Sequence, residues 1–312
     1  MAYEINNPGC AVTSGANTGT PGCAFVPDKI VGAILIPKNK IILTADIPDI
    51  IEELQAMTLA AVADRAYPIF RFEEITDNSE DLTVSTFGYG GKGIGKEGRY
   101  DWTFRIVAGG LCHQNNLRKF NGTTMKVLLV DSENVIYGTS VATGLQGLTL
   151  DFFYAKPWKA ADGTNTAMFE VRFALAKPKE LNENVGYVKV DEDVEENVKG
   201  LLDIELYQLA VVAGKATIGI RTACDKTDIY GTFETPLAAG TLWTLLGPTG
   251  AAVSITSVAA NDTLGGWDVN FTGTGVHTIG LITPALLAAA HIGEAPDNGF
   301  EGNTVAVTMP SS

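Results

Sequence analysis

The chain has 312 residues, of which 46% are hydrophobic and 19% charged, and its formal net charge is -14. This composition excludes a disordered chain, and the length allows two domains, or one large and one small. The acidic balance argues against a surface that wraps nucleic acid or binds an anionic membrane. No apolar run approaches ~18 residues and no signal-like segment begins the sequence, so we predict neither a membrane span nor a secretory route.

Residues 1–27 are rich in Gly, Asn, Thr and Pro and show little periodicity, which predicts an extended N-terminal arm. Cys10 and Cys23 each end a Pro-Gly-Cys triplet in this arm. A disulfide between them is conceivable, but we expect reduced thiols in a protein made in the cytoplasm. Cys112 and Cys224 lack the paired spacing that a zinc site requires.

After this arm, the runs 30–36 and 40–43 are rich in β-forming residues and are separated by a Pro-Lys-Asn turn. A helix is predicted over about residues 47–66, with Asp46 as its N-cap and a proline in its first turn. Its apolar residues fall on one stripe, which predicts one buried face. Tyr67 and the proline after it are expected to end this helix.

A glycine-rich stretch is the most distinctive part of the sequence. Residues 82–87 and 100–106 both alternate apolar and polar side chains, which predicts two strands with one apolar face each. The segment 87–99 between them holds six glycines, too many for a two-residue turn. We therefore predict a long-looped hairpin that projects from a sheet and carries three cations: Lys92, Lys96 and Arg99.

The same loop contains fragments that resemble nucleotide-binding motifs. Its glycines match G-x-G-x-x-G twice, and residues 90–96 spell G-x-x-x-x-G-K. A phosphate site requires the loop to lead into a helix whose free N–H groups face the anion. Residues 100–106 are instead predicted as a strand, and Glu97 replaces the Ser or Thr that would hold magnesium. We favour a flexible hairpin loop over a phosphate site.

Most of the sequence up to residue 176 predicts antiparallel strands. They are expected at residues 69–75, 125–130, 135–139, 148–154 and 168–176, with a tight turn at 131–134 and a short helical turn within 109–121. In the last strand, four alternating residues are expected to face a core: Phe169, Val171, Phe173 and Leu175. One helix with many antiparallel strands indicates a mainly β, α+β fold: a β-sandwich or barrel-like domain over residues 28–212.

Residues 177–200 break this pattern and contain an acidic run. Its members are Asp191, Glu192, Asp193, Glu195 and Glu196. We interpret the segment as a solvated linker or exposed turn, because a calcium loop would need a glycine and a ligand spacing that are missing. Strand character resumes over residues 201–212.

The C-terminal part, residues 213–312, is poor in basic residues and rich in Gly, Thr, Ala and Val. Short strands are expected at residues 216–222, 229–233, 242–246, 252–258, 267–271, 276–282 and 304–309, with a short helix within 281–290. This spacing predicts an immunoglobulin-like antiparallel β-sandwich with Trp243 and Trp267 in its core. Cys224 has no partner within this part, so the inter-sheet disulfide of antibody domains is not expected.

The sequence offers few groups for catalysis. His113, His277 and His291 are its only histidines, and each is expected to be a surface or packing residue. Carboxylate pairs occur at residues 73–74 and 80–81, where charge on a solvent face explains them better than glycosidase chemistry. No nucleophile, metalloprotease or triad motif is present. We therefore predict no catalytic residue, no metal site and no cofactor.

The N-terminal arm, the flanking helix, the paired antiparallel hairpins with a glycine-rich loop at 87–99 and the acidic charge balance together resemble the major tail tube protein of tailed bacteriophages. The C-terminal sandwich is similar to the immunoglobulin-like decoration domain of some of those proteins. The resemblance covers the architecture of nearly the whole chain and rests on pattern, without a diagnostic motif.

This resemblance implies a virion structural protein, made in the host bacterial cytoplasm, whose subunits join their sheets into rings around a channel. Rings would stack, and long loops and arms would lock one ring to the next. The implied partners are identical subunits, other tail proteins, and DNA that passes through the lumen without specific binding. An acidic lumen would keep that DNA from adhering.

Contacts between subunits are assigned to residues as a hypothesis. On the loop they are Lys92, Ile94, Lys96 and Arg99, and on the acidic patch of a neighbouring subunit they are Asp191, Glu192 and Asp193. The motivation is the opposite charge of the two segments.

Other classes of protein fit part of the pattern. Another virion component, such as a capsid decoration, connector or sheath protein, would share the composition and the sandwich domain. A carbohydrate-binding or adhesion module would use exposed aromatic residues of the sandwich, such as Trp267 or Trp243, as a sugar platform. An enzyme of unrecognised type ranks last.

Overall fold

The computed structural model describes residues 28–96, 98–164, 166–290 and 299–310. The chain forms two compact units, Met1–Lys199 and Gly200–Ser312. The predicted N-terminal arm, with Cys10 and Cys23, lies outside the described residues. None of the helices in the described ranges has the length and apolar composition needed to cross a membrane.

The first unit consists mainly of strands, in agreement with the predicted fold class. Its described strands are β1 (Ile30–Pro37), β2 (Ile42–Leu43), β3 (Tyr67–Phe70), β4 (Phe72–Asp77), β5 (Thr83–Thr86), β6 (Lys92–Lys96), β7 (Asp101–Ile106), β8 (Met125–Asp131), β9 (Val135–Val141), β10 (Gly144–Gln146), β11 (Leu148–Ala155), β12 (Phe169–Leu175) and β13 (Val185–Lys189). Its described helices are α1 (Ile50–Leu59), α2 (Gly110–Arg118), α3 (Pro178–Asn182) and α4 (Val194–Asn197), and a 3-10 turn at Ile47–Asp49 precedes α1.

Within the described residues, eleven of these strands form one antiparallel sheet. Its main path runs β2-β10-β9-β8-β11-β12-β7-β4, and β1, β3 and β13 pair alongside that path. Strand β11 joins the two halves, because its first residues pair with β8 and the rest pair with β12. A register shift between Leu150 and Phe152 interrupts β11 at the junction, which lets the strand bend.

Two apolar cores lie on opposite sides of β1 and β8. One side, including Leu35 and Leu129, faces a first core that is shared with β7, β11 and β12. The other side, including Ile36 and Leu128, faces a second core that α1 covers. The predicted core face of β12 is confirmed, with exposed fractions of 0–1% at four residues: Phe169, Val171, Phe173 and Leu175.

The helix over the second core is shorter than the predicted range of about 47–66. Helix α1 ends before Ala60, which adopts an extended conformation. The amide of Ala66 returns to the Met57 carbonyl at 3.0 Å, and Arg65 Nε donates to the Ala60 carbonyl at 2.9 Å. These bonds satisfy carbonyls at the helix C-terminus and end the helix there. The side chain of Asp46, the predicted cap, makes no capping hydrogen bond.

The predicted hairpin of β8 and β9 is present, and a buried carboxylate holds its turn. Asp131 is only 1% exposed. Its Oδ1 accepts the amides of Glu133 and Val135, each at 2.9 Å, and its Oδ2 accepts the hydroxyl of Tyr137. The amide of Asp28 approaches the same Oδ2 at 3.4 Å. A carboxylate this deeply buried is tolerated because both oxygens have hydrogen-bond donors.

Residues 177–199 are folded into the first unit, so the interpretation of the segment 177–200 as a solvated linker is wrong. Strand β13 pairs along β9, with Tyr187 opposite Tyr137. Val188 and Val194 are fully buried in the second core. Charged residues dominate this segment and obscure the few apolar positions that anchor it. The acidic run itself follows β13 on the surface, which agrees with the alternative of an exposed turn.

The second unit begins at Gly200, whereas the sequence analysis places the domain boundary after residue 212. Its described strands are β14 (Leu202–Val212), β15 (Lys215–Thr222), β16 (Trp243–Leu246), β17 (Ile255–Asn261), β18 (Gly266–Phe271), β19 (Gly275–Leu281), β20 (Phe300–Gly302) and β21 (Val305–Met309). Its described helices are α5 (Tyr230–Phe233) and α6 (Pro284–Ala289), with 3-10 turns at Pro236–Ala238 and Gly240–Leu242. The strand predicted at 229–233 is instead the helical turn α5.

The strands of the second unit form two sheets that enclose one core. In the described ranges, one sheet has the order β17-β18-β15-β14-β20 and the other the order β16-β19-β21. If β14 to β19 and β21 are lettered A to G, these are the D-E-B-A and C-F-G sheets of an immunoglobulin constant-type sandwich. Strand β20 is an addition that pairs in parallel with β14. The predicted immunoglobulin-like sandwich is therefore present.

Two tryptophans lie at the centre of this sandwich. Trp243 on β16 and Trp267 on β18 are 4% and 0% exposed, and their ring centroids are 6.1 Å apart. Their indole N–H groups donate to the carbonyls of Leu237 at 2.8 Å and Glu234 at 3.0 Å, so burial leaves neither group unsatisfied. The prediction that both are core residues is confirmed, and neither is available as an exposed sugar platform.

Cys112 and Cys224 are both disulfide-bonded. The expectation of reduced thiols concerns Cys10 and Cys23, which lie outside the described residues, and so stays a prediction. Cys224 lies beyond the end of β15, so its bond is not the strand-to-strand bridge of antibody domains.

We expect Asp131→Ala to destabilise the first unit by about 2–4 kcal/mol, because it removes the acceptor of buried amide and hydroxyl donors. Glu133→Ala is the matched control in the same turn. The Glu133 side chain is 63% exposed and lies 3.8 Å from Lys189, so its removal should cost less than about 0.5 kcal/mol. Denaturant unfolding measured by hydrogen exchange of the β8 and β9 amides tests this, and equal stability of both variants would contradict it.

Candidate assembly surface

The glycine-rich stretch forms the outer half of one long two-stranded ribbon. Strand β4 pairs with β7, with Asp77 opposite Trp102. Thr83 of β5, six residues after Asp77, pairs with Lys96 of β6, six residues before Trp102. The ribbon is therefore continuous in register from the sheet outwards, although β5 and β6 pair with no other described strand. We call residues 82–96 the hairpin arm.

The sequence predicts a projecting hairpin correctly but assigns the wrong pairing. It predicts that 82–87 and 100–106 flank one loop, whereas β7 pairs with β4 and β12, and β5 pairs with β6. The predicted loop 87–99 is accordingly in part a strand. Glycines obscured β6, since they lower strand propensity at alternate positions: Gly93 and Gly95 lie between Lys92, Ile94 and Lys96.

Hydrogen bonds fix the base of the arm to the sheet. The amide of Glu80 donates to the Arg99 carbonyl at 3.0 Å, and Asn78 Nδ2 donates to Thr103 Oγ1 at 3.0 Å. A Cβ at Gly98 would lie 2.1 Å from the Glu80 carbonyl oxygen, so this close approach of the two strands requires glycine. The arm therefore leaves the sheet in a defined direction.

A tight turn closes the arm at its tip. The amide of Phe87 donates to the Gly91 carbonyl at 2.7 Å, and the amide of Gly90 donates to the Phe87 carbonyl at 2.8 Å. Gly90 has a φ of +80°, in the left-handed region that favours glycine. The next element in the chain is strand β7, so no helix N-terminus follows the glycines to bind phosphate, as the sequence analysis predicts.

The arm exposes large apolar side chains over its whole length. Their exposed fractions are Leu82 46%, Val84 55%, Phe87 61%, Tyr89 107% and Ile94 74%. At ~3.3 Å per residue, the arm extends roughly 20 Å from Leu82 to its tip. A lone two-stranded hairpin is marginally stable in water, and exposed apolar patches mark interaction sites. Phe87 and Tyr89 are not among the predicted contact residues, although aromatic residues beside loop glycines indicate an exposed apolar patch.

Strand β4 leaves an open sheet edge at the base of the arm. It ends the main path of the sheet, and no described strand pairs with its outer side. Ile75 at its centre is 46% exposed. Glu73 and Asp77 add negative charge along the strand, whereas Glu74 pairs with Arg105 Nη1 of β7 at 3.3 Å. Two such edges would repel each other, so this edge suits pairing with a different strand.

The predicted contact residues on the arm have different surroundings. Lys92 and Ile94 are exposed on β6, as the contact hypothesis requires. Lys96 ends β6, and its side chain lies outside the described part of the structure. Arg99 Nη1 pairs with Asp151 Oδ2 of the same chain at 3.1 Å, with both side chains nearly half exposed. Arg99 therefore already has an intrachain partner.

The predicted acidic patch is only partly available for contacts. Asp191 and Glu192 are exposed. Asp193 is instead the N-cap of α4, because its side chain accepts a backbone amide of that helix at 3.0 Å. Glu195, in the same run, pairs with Arg71 at 2.9 Å. The hypothesis of a charge contact between copies therefore depends on the first two carboxylates.

The two histidines in the described ranges are packing residues. Burial lowers the pKa of His113, whose ring lies 5.7 Å from that of Phe169. His277 is 2% exposed, with Nδ1 at 3.2 Å from the Gly275 carbonyl. His291 lies outside the described residues. Among the described side chains, no group of three or more His, Cys, Asp or Glu residues is placed to hold a metal ion.

No protein-family model matches this chain, and no curated protein matches it. Functional inference therefore depends on the surfaces that the fold presents. Among those, the hairpin arm and the β4 edge are adjacent, and both lack an intrachain partner surface in the described part of the molecule.

We expect chymotrypsin to cleave the unassembled chain first after Phe87 or Tyr89, because these aromatic residues are 61% and 107% exposed and lie at a turn. Tyr154 is the internal control: it is 44% exposed but lies within β11, where pairing on the sheet should protect it. Mass spectrometry of early fragments identifies the site. Early cleavage after Tyr154 with the arm intact would contradict this prediction.

Proposed function

We propose that this chain is a structural subunit that assembles with copies of itself and forms the tail tube of a bacteriophage, a conduit for DNA. The hairpin arm is the observation that carries the proposal. It is held firmly at its base, yet it exposes apolar side chains along the entire ribbon beyond that base.

Docking onto another subunit would stabilise the arm in two ways. It would bury the apolar side chains, at roughly 1.5–3 kcal/mol for each large one that becomes fully covered. It would also supply the third layer or strand that a two-stranded ribbon lacks. A second copy is the favoured partner, because a fixed base gives every arm the same direction and therefore the same contact.

The charges on β4 favour a head-to-tail contact over a symmetric pair. An antiparallel two-fold contact between β4 edges, centred on Ile75, would place the carboxylate of Glu73 in one copy opposite that of Asp77 in the other. A contact between β4 and a different strand avoids this repulsion. Repetition of such a contact generates a ring when the rotation closes, and a filament when it does not.

The outward face of β7, β11 and β12 suits a surface past which DNA moves. Its cations are already paired with carboxylates: Arg172 Nε lies 2.8 Å from Asp101, and Lys156 and Lys159 lie 2.7 and 2.6 Å from Glu170. Paired cations hold phosphate less strongly than free ones, and the net charge of -14 repels it. These observations support a lumen that DNA crosses without specific binding.

The second unit has the architecture of an added domain, with its own sheets and core. Trp243 and Trp267 are buried, so they cannot form the exposed sugar-binding surface that the alternative of a carbohydrate-binding module requires. The disulfide-bonded state of Cys112 and Cys224 fits a particle that leaves the reducing cytoplasm. A capsid decoration, connector or sheath protein would share these features, and the shape of the assembly distinguishes it from a tube.

We expect the purified chain to form hollow tubes or stacked rings in negative-stain microscopy, and Val84→Ser with Ile94→Ser to weaken assembly. These two residues are paired on the arm, and at roughly 1.5–3 kcal/mol for each covered side chain their loss removes about 3 kcal/mol or more per subunit, which raises the critical concentration about a hundredfold or more.

The matched control is Val276→Ser with Leu264→Ser in the second unit, where the two side chains are 50% and 44% exposed. This variant should assemble like the wild type. Compact closed particles would favour another virion component, and a chain that stays monomeric at high concentration would overturn the proposal. Equal assembly of the arm variant and the wild type would show that the arm is not the contact.

We further expect a chain that ends at Lys199 to assemble, because the first unit then keeps all of its strands. A chain that ends at Val212 should instead aggregate without order. It would retain β14, whose Ile204 and Leu206 are 4% and 2% exposed in the sandwich and would lose their covering strands. Light scattering and microscopy of the two truncated chains compare these outcomes, and the reverse order would contradict the observed boundary.

A further inference from the structure

One lysine lies in the interior of the first unit without a direct partner for its charge. Lys126, on β8, is 6% exposed, and its register partners are Ile36 of β1 on one side and Thr149 of β11 on the other. Within the described residues, its amino group neither donates a hydrogen bond nor forms an ion pair. Buried ammonium groups are rare in proteins unless they are paired, because the loss of hydration costs free energy. This lysine therefore lacks the acceptor that its burial requires.

Part of this side chain nevertheless reaches solvent. Arg105 Nε is the only fully buried side-chain nitrogen or oxygen without a hydrogen-bond partner in the described ranges. The Lys126 amino group has no such partner either, so it is not fully buried and lies where the buried stem meets the surface. Gly147 confines the stem, because a Cβ at that glycine would lie 2.9 Å from the Lys126 Cβ. The amino group is thus an accessible cation on a buried and confined stem.

The carboxylate that attracts Lys126 is already occupied by other donors. It belongs to Glu180 of α3, whose side chain is 13% exposed. Its Oε2 accepts the Thr149 amide at 2.6 Å, and its Oε1 accepts the Thr149 hydroxyl at 2.8 Å. Lys177 Nζ lies 3.5 Å from the same Oε1. These contacts fix Glu180 on β11, and its described ion pair is with Lys177 rather than with Lys126.

The topology of the sheet brings two further lysines close to Lys126. Lys38 directly follows β1, whose last residues pair with the first residues of β8. Lys177 lies two residues beyond β12 and next to the start of β11, because the amide of Ala176 donates to the Thr149 carbonyl at 2.8 Å. Both of these lysines are exposed. We call Lys38, Lys126 and Lys177 the lysine cluster.

Positive charge exceeds negative charge at the lysine cluster. Three lysines stand against Glu180, so three positive charges and one negative charge leave two positive charges in excess. Burial lowers the pKa of Lys126, Glu180 opposes this shift, and Lys177 and Lys38 lower the pKa further. A bound anion would offset both the burial and the repulsion, since an opposite charge favours the protonated amine. The cluster therefore favours an anionic ligand, although the chain as a whole carries a charge of -14.

We propose that the lysine cluster binds one oxyanion, either inorganic phosphate or the phosphate group of a small phosphomonoester. Lys126 supplies a cation on a fixed stem, and the exposed Lys38 and Lys177 supply further ammonium donors around the anion. Several ammonium donors suit a phosphate dianion, whose oxygens accept charge-assisted hydrogen bonds. The site lies outside the hairpin arm and β4, and it does not depend on the proposed function.

Acylation of lysines in the full-length wild-type chain, followed by mass spectrometry, tests the proposal without any substitution. Chloride keeps the ionic strength constant while inorganic phosphate is added. Phosphate should slow the modification of Lys126 about threefold or more, because the bound anion covers the amine and keeps it protonated. Lys189 on β13 is 60% exposed and should react at an unchanged rate. Equal slowing of both lysines, or of neither, would overturn the proposal.

Glycerol phosphate, used as a second probe in the same measurement, distinguishes two sources of the anion. If it protects Lys126 as well as inorganic phosphate does, the site accepts a phosphate group that is part of a larger molecule. If inorganic phosphate alone protects Lys126, the site takes the free ion.

A variant provides an independent measurement. Lys126→Met replaces the cation by an apolar side chain of similar length, and it should fold because it removes a charge that burial disfavours. In denaturant unfolding, phosphate at about ten times its dissociation constant should raise the folding equilibrium constant of the wild type about tenfold more than that of this variant.

The matched control is Lys189→Met, which removes an exposed lysine of the same unit and should respond to phosphate like the wild type. An equal response of the wild type and Lys126→Met would show a general salt effect only and would overturn the proposal. If Lys126→Met does not fold, the acylation of the wild-type chain decides alone.

Discussion

The structure depends on one β-ribbon that is packed along half of its length and unsupported along the other half. In β4 and β7, Phe72, Phe104 and Ile106 are at most 2% exposed and anchor the ribbon in the first core. Beyond the hydrogen bond between Glu80 and Arg99, the same two strands continue without a face to bury. Side-chain packing supplies most of the net stability of paired strands. The outer half therefore gains most of its stability from the surface on which it docks. The inner half fixes the direction in which the outer half leaves the sheet.

Local sequence pattern predicted the strands well wherever burial imposes a pattern. The alternation from Phe169 to Leu175 identified a strand and its core face, and the polar turn at 131–134 between apolar runs identified a hairpin. Pattern alone does not specify partners. Strand β7 alternates equally well beside β4 or β5, because pairing is decided by which face meets the core of the folded unit. The projecting hairpin was thus located in the correct stretch, but its pairing required the structure.

Composition was a poorer guide than periodicity. The acidic residues near Asp193 suggested solvent, yet that side chain caps a helix while Val188 and Val194 fill a core. In the second unit, short strands at regular spacing predicted the sandwich, because each ends at a turn that the sequence marks. The added strand at Phe300–Gly302 was missed, since a three-residue parallel strand has no turn signal. The lysine cluster was missed for a similar reason, because its members come from segments distant in sequence.

If the arm is buried only in contact with another subunit, the strength of that contact determines how the proposed assembly forms. Ordering its backbone on docking opposes binding by about 1–2 kcal/mol for each residue that was not already fixed. Burial of its large apolar side chains contributes roughly 1.5–3 kcal/mol each, and the ordering cost offsets part of this gain. One docked arm is then a weak contact, and a pair of subunits is short-lived. A closed ring makes this contact at every subunit, and each further contact forms at high effective concentration. The same exposed arm is therefore compatible with dispersed subunits and with a stable assembly.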